Sequence, residues 1–455
     1  MEPFDLDAAL AAPTARAVLW TIGALLVLVL LRETRRVPRP LLALMASAFL
    51  DMVGLLMIVP ILPFYVQKFC GDGVDVLGLT LHAGFLSGVV VSTFTAAQLL
   101  TAPMWGRFSD RRGRRPALVV ALFASAVAYL VFGFADSLWL LVLSRFVQGA
   151  GGGTVGVIQA YVADSVPPEQ RARALGWISA ATNLGVALGP VLGALSMSLG
   201  KADLTFGAAE PLRLGEAAPG VVAALLCIAN MAFSWRCLAE SNERRGAHDA
   251  QRVNARTATF AVILRPSLPS SRLILTYAIA IGAFQGITGV LALFLGRRFS
   301  VDEESIGWFY MYIGAISVFA RTLLLGRMVD RLGEARLSRI GLVTLSCGIV
   351  SIPLATGLPS LALAVAMLPL GTAFTFPCVT SLLSRVIEPQ DRGLYMGLQQ
   401  TYGGIARIAG PLFYGWAFDS LGIEAPFYVG APLVLAVILL GIGLQVAPLA
   451  RTRRP

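Results

Sequence analysis

Charged residues inside long apolar stretches are the part of this sequence best placed to do chemistry. Asp51 lies in LLALMASAFLDMVGLLMIVPILPFY, and Arg145 lies in LVLSRFVQGAGGGTVGVIQAYV. A charged side chain at the centre of a bilayer costs at least ~2.5 to 3.5 kcal/mol, so both residues should face a cavity or an opposite charge. Counted along their helices, the two residues fall at nearly the same depth. We expect them to be electrostatically coupled, with protonation of Asp51 as the chemical step; a purely structural ion pair is the alternative.

A third buried charge lies in the second half of the chain. Arg407 is midway along an apolar stretch, and no acidic residue is evident at the same depth. A guanidinium without an acid leaves room for the anionic group of a ligand, or for a salt bridge from the other half. Arg321 lies nearer the end of its stretch and is expected to extend to the membrane surface. The other polar groups expected near a cavity are Gln98, Gln148, Gln159, Tyr277 and Gln285.

The elements that must position these residues follow from composition. Of the 455 residues, 56% are hydrophobic and 14% are charged, with a mean hydropathy of +0.75, which is too apolar for a soluble domain. Apolar stretches of the length that a bilayer requires, about 20 residues, recur throughout the chain. We predict an all-α membrane protein with twelve core transmembrane helices in two six-helix bundles, at 39–239 and 272–447. An extra apolar helix at 17–31, within an N-terminal segment 1–38, should span the membrane or lie at its surface.

Basic residues predict the orientation of the chain. There are 36 Lys and Arg against 26 Asp and Glu, and most of the basic residues fall in loops that the predicted spans place on one side. That side should be cytoplasmic, so a linker at 240–271 and a basic tail at 448–455 are expected in the cytoplasm. The excess charge is assigned to topology and to the lipid bilayer, and no nucleic-acid partner is expected. The membrane is a bacterial inner membrane or another cellular membrane.

An internal repeat divides the chain into two related halves. Three residues of one short loop recur in a second loop: Gly106, Asp110 and Gly113 of GRFSDRRGRR correspond to Gly326, Asp330 and Gly333 of GRMVDRLGEAR. Asp110 and Asp330 are 220 residues apart, and Gly189-Pro190 precedes Gly410-Pro411 by 221 residues. A nearly constant offset indicates two parallel halves, with a small-molecule site near the midplane between them.

The repeated loop motif is expected to act as a conformational latch. Glycines permit close approach and positive φ, and an aspartate can accept hydrogen bonds from a helix N-terminus. Arginines can exchange acidic partners between conformations, so such a charge cluster can hold one conformation and break in another. A tight turn that serves only topology is the alternative. The expected latch residues are Gly106, Asp110, Arg111, Gly113 and Arg114, with Asp330, Arg331 and Gly333 in the second copy.

The two Gly-Pro pairs lie in helices that are rich in small residues. Small residues let helices pack closely, and proline removes one hydrogen bond of its helix and can kink it. The residues expected to pack and bend in this way are Gly185, Gly189, Pro190 and Gly193, with Gly410 and Pro411 in the second half.

These motifs resemble those of the major facilitator superfamily over nearly the whole chain from Arg39 onwards, and most of all its twelve-span drug:proton antiporter branch. GRFSDRRGRR, RFVQGAGGG and LGVALGPVLG resemble three superfamily signatures, and LDMVGLLMIVPILPFY with AYVADSVPPEQRARALG is similar to tetracycline efflux pumps. The resemblance implies proton-driven export, with Asp51 and Arg145 in the coupling machinery and Asp110 capping a helix of the second half in the outward-facing state. The chain departs from those pumps at Ala128, where AVAY replaces an AVDY-like run.

The function predicted from the sequence is secondary active transport. The leading hypothesis is a monomeric antiporter that exports amphipathic small molecules by alternating access, with the proton as coupling ion and no cofactor. A symporter or uniporter for an organic anion or metabolite, using Arg407, is the alternative, and a transporter-like sensor or assembly partner is a lesser one. Enzymatic activity is not expected, because His82 and His248 are the only histidines and no nucleophile, metal or phosphate-loop constellation is evident.

Overall fold

The computed structural model describes residues 39–71, 73–76, 78–152, 154–201, 214–238, 240, 260, 262–303, 305–388 and 391–440. Three sequence predictions fall largely outside the described residues: the N-terminal segment with its extra helix, most of the linker at 240–271, and the basic tail. Both predicted bundles lie within the described residues for most of their length.

The first half is helical apart from one short hairpin. Its helices are α1 (Arg39–Ile58), α2 (Leu62–Cys70), α3 (Ala83–Arg112), α4 (Arg114–Gly133), α5 (Leu138–Ala150), α6 (Thr154–Ser165), α7 (Pro168–Lys201) and α8 (Ala218–Cys237). Strands β1 (Val74–Val76) and β2 (Leu79–Leu81) form an antiparallel pair between α2 and α3.

The second half repeats this arrangement. Its helices are α9 (Pro269–Phe299), α10 (Ile306–Phe319), α11 (Leu325–Leu332), α12 (Glu334–Leu354), α13 (Leu358–Val386), α14 (Arg392–Ser420) and α15 (Ala425–Leu440), with a π-helical turn at Ala320–Leu324 between α10 and α11. Within the described residues, nine helical stretches are long and apolar enough to cross a membrane, and α5 and α15 are shorter apolar helices. The architecture agrees with the predicted all-α membrane fold.

Glycine makes the tight turns that reverse the chain within each half. Gly113 joins α3 to α4 with a φ of 106°, and Gly333 joins α11 to α12 with a φ of 76°. A side chain would clash in this region of backbone conformation, which glycine alone adopts readily. The predicted loop motif therefore contains a residue that each turn requires.

The Gly-Pro helices pack closely within their own halves. Gly185 and Gly189 of α7 lie against the main chain of α1, and Gly193 contacts Met57 there. In the second half Gly410 of α14 lies against Gly282 of α9. A Cβ at any of these glycines would overlap the facing helix, so small residues set the distance between the helix axes.

The two halves meet at the end of the molecule opposite the Gly113 and Gly333 turns. There α3 lies along α14, and α7 lies along α10. The contact is close, since a Cβ on Gly84 would come within 2.8 Å of the carbonyl oxygen of Gly415, and one on Gly314 within 2.5 Å of the Cα atom of Ala187. We call this end the closed end, and the end that carries the two glycine turns the basic end.

Candidate functional site

A cavity of about 370 Å³ lies between the halves and extends to the basic end. Its wall comes from α3, α6 and the start of α4 in the first half and from α14 in the second. The lining residues are Thr95, Gln98, Leu99, Ala102, Trp105, Gly106, Ser109, Arg114, Gly152, Gly156, Val157, Ala160, Gln400, Gly404 and Arg407. Two of these side chains are cationic and none is acidic.

Arg407 contributes the cationic group on the α14 side of the cavity. One guanidinium nitrogen, Nη2, donates a hydrogen bond to the hydroxyl of Tyr277 on α9 at 3.0 Å. Tyr277 is buried and packs edge-on against Phe376, with the ring centroids 5.3 Å apart. Gly403 gives this ring its space, because a Cβ there would lie 2.7 Å from a ring carbon of Tyr277. The tyrosine thus holds Arg407 with a neutral partner, and within the described chain no acidic side chain pairs with that arginine.

Arg114 lies at the basic end of the cavity and is paired with acids. Its Nη1 contacts Asp110 and its Nε contacts Asp164, each at 2.7 Å, and Nη1 also donates to the hydroxyl of Ser109. Asp110 therefore engages the first half in this conformation, through an exposed carboxylate. The predicted latch residues Asp110 and Arg114 are brought together, whereas Arg111 lies exposed.

Glu240 completes this cluster, and the sequence analysis had assigned it to the linker. Its carboxylate accepts hydrogen bonds from the backbone N–H groups of Arg114 and Arg115 at 2.8 and 3.2 Å, at the N-terminus of α4. A Cβ on Gly113 would overlap this carboxylate. The side chain of Arg115 also stacks on Trp235, 4.1 Å from the ring centroid. No spacing pattern links Glu240 to a helix that begins 126 residues earlier, so only the folded structure reveals the contact.

The second copy of the loop uses its acids differently. Asp330 and Arg331 are exposed on α11. The acid that is engaged there is Glu334, directly after Gly333, which accepts hydrogen bonds from Ser381 at 2.8 Å and from Arg385 at 2.6 Å. The repeat therefore preserves the turn, while the ion pairs differ between the halves.

Asp51 and Arg145 lie buried in the first half, in a cluster separate from the cavity wall. Asp51 accepts a hydrogen bond from the hydroxyl of Thr154 at 2.8 Å. Arg145 is 1% exposed; its Nε and Nη2 have no hydrogen-bond partner among the described residues, and its guanidinium carbon lies 5.4 Å from the centre of the Phe132 ring. The ion pair considered between Asp51 and Arg145 is thus absent from this conformation, because the carboxylate faces the start of α6.

The predicted cavity glutamines separate into different environments. Gln98 lines the cavity and donates to the carbonyl oxygen of Gly152 at 3.3 Å. Gln148 belongs to the buried cluster, where it donates to the hydroxyl of Tyr129 at 2.6 Å. Gln159 is exposed, and Gln285 is half-buried on α9; neither lines the cavity. The sequence predicted how deep each of the four glutamines lies in the membrane, but it did not predict the face of the helix on which each one lies.

The lining residues that the sequence analysis missed include Thr95, Trp105 and Gln400. Gln400 had a usable signal, because it lies seven residues before Arg407 on one helix, and this spacing places two side chains on the same face.

Arg321 also departs from expectation. Its side chain does not extend to the membrane surface; its Nη1 reaches Asn183 of the other half at 3.4 Å, and its Nε is buried.

Comparison with known proteins identifies the family. The family model described as Major Facilitator Superfamily matches residues 44–368 and 273–455. The chain belongs to the Major Facilitator Superfamily. Membership confirms the predicted transporter class and the predicted fold, and it agrees with the expectation that the protein is not an enzyme. A superfamily member is a multi-pass integral membrane protein that carries a small-molecule substrate.

Individual relatives within the superfamily are distant. Tetracycline resistance protein, class B, of Escherichia coli is 25% identical over 406 residues, covering 88% of this chain and 95% of that protein. Multidrug resistance protein 2 of Bacillus subtilis (strain 168) is also 25% identical, covering 88% and 93%. Major facilitator superfamily domain-containing protein 10 of Homo sapiens is 26% identical over 418 residues, covering 85% and 89%.

Solved structures show the same fold. The human organic anion transporter MFSD10 (TETRAN) matches with a TM-score of 0.64 and 24% identity, covering 89% of this chain and 99% of that one. A D-xylose-proton symporter matches with a TM-score of 0.67 and 17% identity, covering 90% and 98%. At these identities the match shows the fold alone.

Proposed function

We propose that this chain is a secondary transporter for amphipathic small molecules that carry an anionic group, and that Arg407 binds that group. The charge of the cavity wall carries this proposal. Arg407 lines the cavity, its resolved hydrogen bond goes to a neutral tyrosine, and no lining residue is acidic. A guanidinium offers a planar pair of N–H donors that matches a carboxylate or phosphate. The cavity therefore favours the organic-anion alternative of the sequence analysis.

The rest of the wall suits an amphipathic molecule. Leu99, Trp105 and Val157 give an apolar surface on the side of the first half, while Gln98 and Gln400 add polar groups. The indole N–H of Trp105 donates to the carbonyl oxygen of Ala150 at 2.6 Å, which fixes the ring in the wall. The cavity volume falls within the range of about 300–1,000 Å³ that is usual for small-molecule pockets.

The arrangement of the halves supports alternating access. The most extensive contacts between the halves are the two helix pairs at the closed end, while the cavity extends to the basic end. Because basic loops favour the cytoplasmic side, we assign the basic end to the cytoplasm and this conformation to the inward-open state. Transport then requires the closed-end contacts to separate while the basic end closes.

Proton-coupled antiport is the second candidate function, and Asp51 is the observation that favours it. The carboxyl is buried, and the hydroxyl of Thr154 donates to it. Thr154 begins α6, and Gly152 just before it lines the cavity. A change at the cavity could therefore reach Asp51 through the start of α6. The names of the bacterial relatives, tetracycline and multidrug resistance proteins, support export.

Flux in proteoliposomes with an internal pH dye tests both candidates. The panel comprises organic anions, tetracyclines and lipophilic cations, added to wild type, to Arg407→Gln and to the control Arg327→Gln, an exposed residue of α11. We expect saturable anion flux that falls roughly tenfold or more in Arg407→Gln, as loss of a charge-assisted contact implies, and that is unchanged in the control. Proton movement opposite to a cation, indifferent to Arg407, would contradict the anion proposal and favour the antiporter.

A further inference from the structure

Arg321 occupies a distorted segment of the second half. The α-helix α10 ends at Phe319, and Ala320–Leu324 form a π-helical turn before α11 begins. A π-helical turn contains one residue more than a regular turn and is often found at functional sites, because it turns a side chain towards a new direction. From Arg321 the helix continues for about another 16 Å, at ~1.5 Å per residue, to Leu332. The arginine is therefore held deep between the halves, away from the basic end.

The contacts of Arg321 leave its charge uncompensated. Nη1 makes a long hydrogen bond of 3.4 Å to the amide oxygen of Asn183 on α7. The Nε atom is buried and has no hydrogen-bond partner within the described part of the chain. Among those residues no salt bridge involves Arg321, and the neutral phenol of Tyr277 is a titratable neighbour of its guanidinium.

Tyr277 connects this arginine to Arg407. The tyrosine hydroxyl accepts a hydrogen bond from Arg407 on α14, and the same tyrosine is a neighbour of Arg321 in the π-helical turn. One guanidinium therefore contacts this buried phenol and the other lies near it. Like charges repel strongly in a low-dielectric interior, and buried charges are normally paired. An anion between them would compensate both charges.

We propose that Arg321 is a second anion-binding residue and that, with Arg407 and Tyr277, it makes the carrier select amphipathic molecules whose head group bears two negative charges. This inference rests on the proposed function, since it requires an anion at Arg407. The long contact with the neutral Asn183 is the one that the second negative group replaces. Arg407 alone binds the first negative group, so a singly charged anion still binds, with lower affinity.

Matched ligands test this selectivity on the purified full-length protein. Phenylsuccinate carries two carboxylates on an aromatic body, and 4-phenylbutyrate carries one. Calorimetric binding of both is compared in wild type, Arg321→Gln, Arg321→Lys and Arg407→Gln. We expect wild type to bind phenylsuccinate roughly tenfold more tightly, Arg321→Gln to bind both ligands alike, and Arg321→Lys to keep part of the preference. Arg407→Gln should lose both ligands.

A control variant separates anion binding from a contact between the halves. Asn183→Ala removes the partner of Arg321 on α7 but leaves both guanidinium groups, so it should keep the preference for phenylsuccinate. If Asn183→Ala loses the preference as Arg321→Gln does, Arg321 acts as a link between the halves and the inference is overturned.

The remaining outcomes distinguish this inference from the proposed function. Binding of 4-phenylbutyrate that depends on Arg407, with no preference for the dianion in wild type, would overturn the role of Arg321 and leave the proposed function intact. A wild-type preference that survives in Arg321→Gln would do the same. If wild type binds neither anion, and Arg407→Gln therefore behaves like wild type, both the role of Arg321 and the proposed function are overturned.

Discussion

The carbonyl oxygen of Pro411 lies directly against Gly88 of the other half, so that a Cβ on Gly88 would overlap it. The first half contains the matching contact, because a Cβ on Gly307 would come within 2.6 Å of the carbonyl oxygen of Pro190. Each Gly-Pro pair therefore contacts its own half through the glycine and the opposite half through the proline. These two symmetric contacts bring the halves together at the closed end.

Replacing Gly88 by valine should open the closed end, because the added carbons would overlap the main chain of Pro411. Overpacking of this kind costs about 1–3 kcal/mol, which shifts the equilibrium between closed and open forms roughly fivefold to 150-fold. The measurement is the rate at which a membrane-impermeant thiol reagent modifies Ser87→Cys, a position 1% exposed. The exposed Cys237 and Cys347 are first replaced by serine.

Gly397→Val is the matched control for this experiment. Gly397 lies on α14, and a Cβ there meets no atom within 4 Å. Labelling at position 87 should stay slow in the control. Equally slow labelling in Gly88→Val would show that the Gly88 contact does not hold the closed end.

Asp419 should strengthen the closed end by capping a helix of the other half. Its two carboxylate oxygens accept hydrogen bonds from the backbone N–H groups of Gly84 at 3.0 Å and Phe85 at 2.7 Å, in the first turn of α3. Such charge-assisted bonds contribute about 1.5–3 kcal/mol, and the helix N-terminus attracts negative charge. We expect Asp419→Asn to speed hydrogen exchange at the start of α3 roughly tenfold. Asp136→Asn, an exposed acid near the same end, should leave exchange unchanged, and equal exchange in the two variants would argue against the cap.

Asp51→Asn tests proton coupling. The amide cannot carry a proton on and off, so uphill transport driven by a pH gradient should be lost while exchange of substrate across the membrane is partly retained. Both are measured in the same proteoliposomes, with Asp75→Asn, an exposed acid of β1, as the control. Undiminished uphill transport in Asp51→Asn would exclude Asp51 as the coupling residue.

Gly113→Ala should destabilise the protein more than the same change in the second copy. Gly113 has a φ of 106° and a Cβ would also displace the carboxylate of Glu240, whereas Gly333 has a φ of 76° and open space around it. Backbone strain in this region costs of order 1–3 kcal/mol. The order of melting temperatures should be Gly113→Ala lowest, then Gly333→Ala, with the helical Gly326→Ala close to wild type. Equal melting temperatures for the first two would mean that the contact with Glu240 adds no stability.

Glu303 should make the closed end sensitive to pH. It lies between α9 and α10, where burial and nearby Glu216 raise the pKa of its carboxyl above the usual value of 4.5; Lys68 and Lys201 oppose this shift, and Asp302 adds to it. The closed conformation therefore favours the protonated carboxyl of Glu303. The stability that Glu303 contributes to the closed end is fully present below pH 4.5, and it is lost as the pH rises through the raised pKa.

Distances between spin labels across the closed end measure this effect. The labels are placed on Asp136→Cys and Leu421→Cys, both exposed positions, in the background without Cys237 and Cys347. We expect the closed population to fall as pH rises from about 4.5 through the raised pKa of Glu303 in wild type, and to change less in Glu303→Gln, which cannot ionise. The same pH dependence in both proteins would assign the effect to another group.

The class of fold and the existence of two halves can both be read from the amino-acid sequence. Apolar stretches of bilayer length are recognisable because each side chain partitions between water and lipid largely independently of residues far away in the chain. The two related halves are likewise recognisable from the sequence, because the loop that contains Asp110 recurs at Asp330. Both signals are local or repeated along the chain, and the comparisons confirm the fold that they predicted.

Which buried polar groups contact one another is known only from the folded structure. Asp51 and Arg145 have similar depths, yet Asp51 bonds to Thr154, and Gln148 joins the buried cluster instead of the cavity. Arg321 lies in a π-helical turn that no residue pattern predicts, and its side chain contacts Asn183. Depth is fixed by position along one helix, but a contact also depends on how each helix is rotated and where it sits beside its neighbour. Those two quantities are set by close packing between segments far apart in the chain, through contacts such as those of Gly185 and Gly410.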